Sequence, residues 1–139
     1  MSKVNDILTE LKTRLATVAN CRVEEGFYAN YQNEPLGSER LIVIQVLTNG
    51  PCENRQGVHK TPLTVAVFAA IEFNEQANAL LLELLKEMRS AIFPKERFVF
   101  DRLVHSIKES EATPLRPPKE GQDNAYLALP LAIEYIENE

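Results

Sequence analysis

The chain is poor in the residues that usually carry chemistry. Its 139 residues include two cysteines and two histidines. Cys21 and Cys52 lie far apart without CxxC spacing, so they read as free thiols in a reducing cytosol. His59 and His105 form no HxxxH or HExxH pair, and a metal site needs more ligands than they provide. The phosphate-cradling patterns GxGxxG and GxxxxGK[ST] are missing, and so is the nucleophile turn GxSxG. No catalytic residue, cofactor or metal is therefore expected.

Other absences narrow the partners. No apolar run approaches the ~18 residues of a membrane span, so no membrane partner is expected. Residues 1–10 are polar and helix-like, so no secretory signal is expected. Positive charge is in deficit: 15 Lys and Arg against 20 Asp and Glu give a net charge of −5. Nucleic-acid affinity comes largely from basic residues neutralising phosphates, so a sequence-specific nucleic-acid role is disfavoured.

What the chain does have is apolar patterning. The hydrophobic fraction of 45% is ordinary for a globular protein, and the length suits one domain over 1–139. Val4, Ile7, Leu8, Leu11, Leu15 and Val18 mark an amphipathic helix over 4–19, with Ser2 or Asn5 to cap it and Asn20 to stop it. A weak edge strand over 22–31 contains Gly26. Strong strands follow at 41–48 and 63–73, each apolar on both alternating faces. They are joined by a long loop, 49–62. Asn74 caps a second helix of Leu80, Leu81, Leu84, Leu85, Met88 and Ile92, widened by Leu82 and ended by Pro94. A short apolar piece at 98–100 and a modest strand at 104–108 precede the Pro-rich, charged loop 111–124, which is too polar to pack.

The strand 125–137 closes the chain. Ala125, Leu127, Leu129, Leu131, Ile133 and Tyr135 alternate without a break, the signature of a strand with one buried face. Pro130 cannot donate to a ladder, so one side there is unpaired or bulged. These elements predict an α+β fold, α-β-β-β-α-β-β. Its single, mostly antiparallel sheet has four to five strands and packs with two main helices.

Two helices suffice for one face of such a sheet. Ile42, Ile44, Val46 and Phe68 would each gain roughly 1.5–3 kcal/mol on burial, and left bare they would mark an interaction site. The surplus is covered by one helix on each face, by a curled sheet, or by another subunit. An exposed side of the last strand offers a further route to pairing. A charge at Phe68 is expected to prevent folding or assembly.

The polar candidates are few. Glu24–Glu25 and the acids at 109 and 111 read as solvated faces. Arg55, Lys60, Arg116 and Lys119 put positive charge in the two long loops, and with Phe68 they are the candidate interface residues. His59 and His105 as an acid–base pair, or Cys52 with His59 as nucleophile and base, are the only enzyme-like arrangements.

Three segments resemble the tail terminator proteins of long-tailed bacteriophages (minor tail protein U-like). The first is the opening helix VNDILTELKTRLATV. The second is LIVIQVLT, a long loop and LTVAVFAAIEF, followed at once by a leucine-rich helix. The third is the closing strand LALPLAIEYIE. The resemblance implies a non-enzymatic virion protein or prophage relative. Such a protein forms a homo-oligomeric, hexameric ring that caps the tail tube and joins it to the head, as a terminator or a neck or tail-completion subunit. The implied partners are a second copy of the chain, the tail tube protein and a head–tail connector or neck protein. The implied location is the bacterial host cytoplasm during assembly, then the virion tail. Mild acidity suits a channel that DNA traverses. The alternative is a cytosolic α+β adaptor module without catalytic activity; a small enzyme using either histidine stands behind it.

Overall fold

In a computed structural model, residues 3–55, 58–93 and 104–138 are described. The elements run α1 (Lys3–Leu15), β1 (Cys21–Glu25), a 3-10 turn (Tyr28–Asn30), β2 (Arg40–Asn49), β3 (Glu53–Arg55), β4 (Val58–Glu72), α2 (Ala77–Ile92), β5 (Ser106–Glu109), β6 (Leu115–Arg116) and β7 (Asn124–Asn138). The fold is α+β as expected, but among the described residues the sheet has seven strands.

Both helices form where 3.6-residue periodicity demands. In α1, Ile7, Leu8, Leu11 and Leu15 are buried on one stripe. Asp6 in its first turn and Lys12 and Arg14 in its last complement the helix dipole. Asn5 lies inside this helix rather than capping it, and Ser2 lies outside the described residues. The helix ends at Leu15, not 19. Two tight turns carry the chain to Val18, and Asn20 then takes a left-handed backbone (φ 56°) with its amide donating to the Ser38 carbonyl.

In α2, Ala77, Leu81, Leu84, Leu85, Met88 and Ile92 are buried, whereas Leu80 and Leu82 are exposed. The apolar face is thus narrower than the leucine count suggested. Asn74 is not the cap. Its side-chain oxygen accepts from the Gln76 N–H at 2.7 Å, a turn just ahead of the helix. Phe93 follows the last helical residue; Pro94 and the piece at 98–100 lie outside the described residues.

The strand order is β1-β2-β4-β7-β5, with β3 on β4 and β6 on β7. Its spine is the β4–β7 ladder, antiparallel and in unbroken register from Val58↔Asn138 to Glu72↔Asn124. The two long loops are partly strand. Within 49–62 the chain forms β3 and the first part of β4; within 111–124 it forms β6. Short backbone ladders recruit these polar segments because each pairing satisfies groups the neighbouring strand already presents. Pro130 sits where β5 ends and β6 has not begun. It pairs with Ala66 across β4 without a bulge, and its carbonyl accepts from the Ser110 N–H.

β1 is shorter than expected and parallel to β2, with Cys21 opposite Arg40 and Glu25 opposite Ile44. Gly26, at φ 149°, ends it in a backbone region that disfavours side chains. A parallel pair requires a crossover. Residues 26–39 supply it and pass over the sheet face opposite the helices.

That route corrects the apolar accounting. Ile42 and Ile44 belong to the helix-covered core with Leu63, Val65, Val67, Leu129 and Leu131, and Val46 packs against it. Phe68, opposite Val43, is on the other face. There Tyr28 and Leu36 from the crossover are buried with Leu41, Val43 and Ala70, and Tyr31, Phe68 and Tyr126 pack around them. Phe68 stacks on Tyr28 with centroids 4.7 Å apart and planes within 4°. Much of the cover assigned to another subunit is therefore the chain's own crossover.

Candidate functional site

The candidate interface residues fall into two separate groups. Lys60, on β4, faces Ile136 and forms a 3.5 Å ion pair with Glu134. Arg55 pairs with Val58 in the β3–β4 hairpin, and its side chain lies outside the described residues. Arg116, on β6, lies opposite Tyr126, and exposed Lys119 starts the turn closed by the Gln122 N–H. The positions on β7 that face Lys60 and Arg116 are ten residues apart, about 33 Å along a strand. The two basic groups occupy opposite ends of the sheet and make no single docking patch. Phe68 lies between them, half-buried beneath Tyr28.

The last strand is not an edge. β4 covers one side, and β5 and β6 cover much of the other. The route for strand addition moves outward. Among the described residues, no strand pairs with the outer side of β1 or of β5.

The edge at β1 is charged. Arg22 lies 3.4–3.9 Å from Glu34, Glu24 and Glu39. Arg40, next to it on β2, donates to Glu87 of α2 at 2.7 Å and also to the Ala19 carbonyl. One guanidinium thereby ties sheet, helix and the α1–β1 turn. Cys21 is half-buried beside Arg40. Burial pushes its thiol up, against the opposing pull of the Arg40 charge. Burial likewise pushes the Tyr28 hydroxyl well up, and Tyr126 adds to the shift.

One cleft, about 530 Å³, lies between the 17–19 turn and α2, bordered by Glu83, Lys86 and Glu87, with no histidine or cysteine in its lining. Another, about 500 Å³, runs along the same turn and is lined by Cys21, Arg22 and Glu39. Two others flank Glu72. Leu36, Phe73 and Asn124 line one; Leu80 and Glu87 border the other. Phe73 and Leu80 are exposed large apolar side chains, as are Phe27, Leu47 and Leu82.

The histidines stand on opposite sides of β7. His59 pairs with Glu137 through β4, whereas the His105 N–H donates to the Glu134 carbonyl from the other side. Two strand spacings put them roughly 10 Å or more apart, too far for an acid–base pair. Cys52 and His59 do meet: Sγ lies 3.7 Å from Nδ1. Among the described residues, no three His, Cys, Asp or Glu side chains converge as metal ligands, and no helix is long and apolar enough to cross a membrane.

Neither a protein-family model nor a curated protein matches the chain.

The weak first strand does lie at a sheet edge, as its sequence suggested; sequence reasoning missed the crossover and the parallel pairing of β1. The signal for the crossover was the cluster Phe27, Tyr28 and Tyr31, aromatic residues in a stretch too irregular for a strand. The parallel pairing of β1 had no local signal.

Proposed function

We propose that the protein is a non-enzymatic virion subunit: a tail terminator, or a closely related neck or tail-completion protein, that closes into a homo-oligomeric ring of six. The observation that carries this reading is that, among the described residues, one sheet path ends in two unlike strands, β1 and β5, with no strand paired on the outer side of either. A ring needs two different surfaces that fit one another head to tail, and non-equivalent edges on one rigid sheet meet that need. Exposed Phe73 and Leu80 at the β4–α2 turn add apolar contact area beside the path.

The placement of charge supports a division of labour. Arg55 and Lys60 lie toward one end of the long ladder, Arg116 and Lys119 toward the other. In a ring whose subunits share one orientation, one group meets the tail tube and the other meets the neck. The ring is expected to close on the tube rather than in dilute solution, so the decisive assay includes tubes.

Light scattering and electron microscopy of the chain with tail tubes should give six-membered rings on tubes of uniform length. Arg55→Glu with Lys60→Glu, and Arg116→Glu with Lys119→Glu, should fold normally. One pair should leave tubes uncapped and of irregular length; the other should block head joining. Normal tube lengths and normal head joining with both variants would remove these residues from the docking surfaces. A chain that never assembles on tubes would end the ring reading.

A further inference from the structure

Cys52 and His59 have no part in the proposed ring, yet the fold brings them together. Cys52 immediately precedes β3, and the register Asn54↔His59 and Glu53↔Lys60 places it diagonally from His59 on one face of the hairpin. Its Sγ is 3.7 Å from His59 Nδ1 and equally far from the Glu53 carbonyl oxygen. The thiol is exposed, while the imidazole is half-buried in β4. The reactive atom thus faces water, and a rigid strand holds its partner.

We propose that Cys52 is a thiol–disulfide exchange site, with His59 as its base and small disulfides of the glutathione type as its reactants. The nucleophile in such exchange is the thiolate. His59 Nδ1 takes the thiol proton, and Sγ attacks one sulfur of the incoming disulfide. The disulfide bond breaks as the new sulfur–sulfur bond forms. The other sulfur departs as a thiolate, which takes up the proton held by the imidazole. Cys52 ends as a mixed disulfide. The incoming disulfide is the oxidant and is reduced by the same electron pair, so no further reagent is needed.

Cys21 is a built-in control. It is half-buried, packs against the main core, and has its thiol pushed up by burial. The fold therefore sets one exposed thiol beside a histidine against one half-buried thiol that borders a surface cleft with Arg22 and Glu39.

The test treats the full chain with oxidised glutathione at pH 7, followed by intact mass and peptide mapping, and measures rates with 5,5′-dithiobis(2-nitrobenzoate). The expected result is a single adduct on Cys52 before any on Cys21, with a fast phase that Cys52→Ser removes. His59→Gln and His59→Asn should each slow that phase roughly tenfold or more at pH 7. The gap should narrow as the pH is raised, because hydroxide then generates the thiolate without help from a base. The slow Cys21 phase should stay unchanged in both variants, which shows that the fold is intact. If both variants unfold, the wild-type ratio of the two cysteine rates decides. Equal rates at Cys21 and Cys52 in the folded wild type, or an undiminished Cys52 rate in a folded His59 variant, would overturn the proposal.

Discussion

The two faces of the sheet carry similar apolar side chains but are closed in different ways. On one face, two long helices bury Ile42, Ile44, Val65, Val67, Leu127, Leu129 and Leu131, nearly all with no exposure. On the other, a single irregular crossover buries Leu41, Val43 and Ala70 beneath Tyr28 and Leu36 and leaves Phe68 and Tyr126 half-buried. A helix offers a continuous stripe, one residue per turn or more, to an opposing sheet. A loop offers only the few side chains that its turns happen to aim inward. A large aromatic ring covers more sheet per residue than an aliphatic chain does, so the loop-covered face relies on packed rings, Tyr28 stacked on Phe68 and tilted against Tyr126.

Adjacent residues sample both environments, and substituting each with a charge sharpens the contrast most. Val67 is fully buried on the helix face; Phe68, its neighbour, is half-buried on the other. Val67→Asp should abolish the folded state, because its carboxylate has no route to water. Phe68→Asp should fold, with a loss of about 2–3 kcal/mol from lost burial and stacking. Because Phe68 is half-buried, the expectation that a charge at 68 prevents folding or assembly narrows to assembly. Urea unfolding of both variants checks the pair, and equal losses would mean the two faces are equally sealed.

Cavities should separate the faces next. Leu84, fully buried in α2, should lose about 2–5 kcal/mol on Leu84→Ala. Leu36 sits in the crossover at the rim of the smaller cluster. Leu36→Ala should lose about 1–2 kcal/mol, because a loop collapses around a void more readily than a helix does. A larger loss at Leu36 would make the crossover as rigid as the helical layer.

The smallest effect is alkaline. The Tyr28 hydroxyl titrates higher in the folded chain than its ordinary value of 10.0, chiefly through burial. Its contribution to stability is therefore full below about pH 10, where both states keep the proton. It is lost as pH rises from there toward the folded-state value, because the unfolded chain ionises first. Stability measured from pH 8 to pH 11 should decline above pH 10, and Tyr28→Phe should make that decline shallower. An identical decline in the variant would mean that the crossover does not shield this hydroxyl.

Local periodicity made several elements legible. Ile7, Leu8, Leu11 and Leu15 announced α1 because their spacing matches a helical turn, and 125–137 announced β7 because every second residue is apolar. The alternating faces of 41–48 and 63–73 were equally plain. The ends were less so. Asn74 and Leu82 misled because propensity describes a residue's preference, while capping and burial depend on where the helix axis comes to lie. Strands β3 and β6 were hidden in polar loops because backbone ladders have no side-chain signature. The meeting of Cys52 with His59 was visible as a candidate, but not as a contact.

Local pattern alone dictated two amphipathic helices, long two-faced strands and an α+β arrangement, and it contained no recognisable catalytic spacing. These follow from patterns within a few turns or a few residues of one strand. Long-range packing settled which apolar face the helices cover, that the 26–39 crossover closes the other, that β7 is flanked on both sides while, among the described residues, no strand pairs outside β5, and that the two basic loops stand apart. Each of those facts depends on strand order and register. Pairing is made by backbone groups that every residue shares, so it is selected by the packing of the whole chain rather than by any one segment.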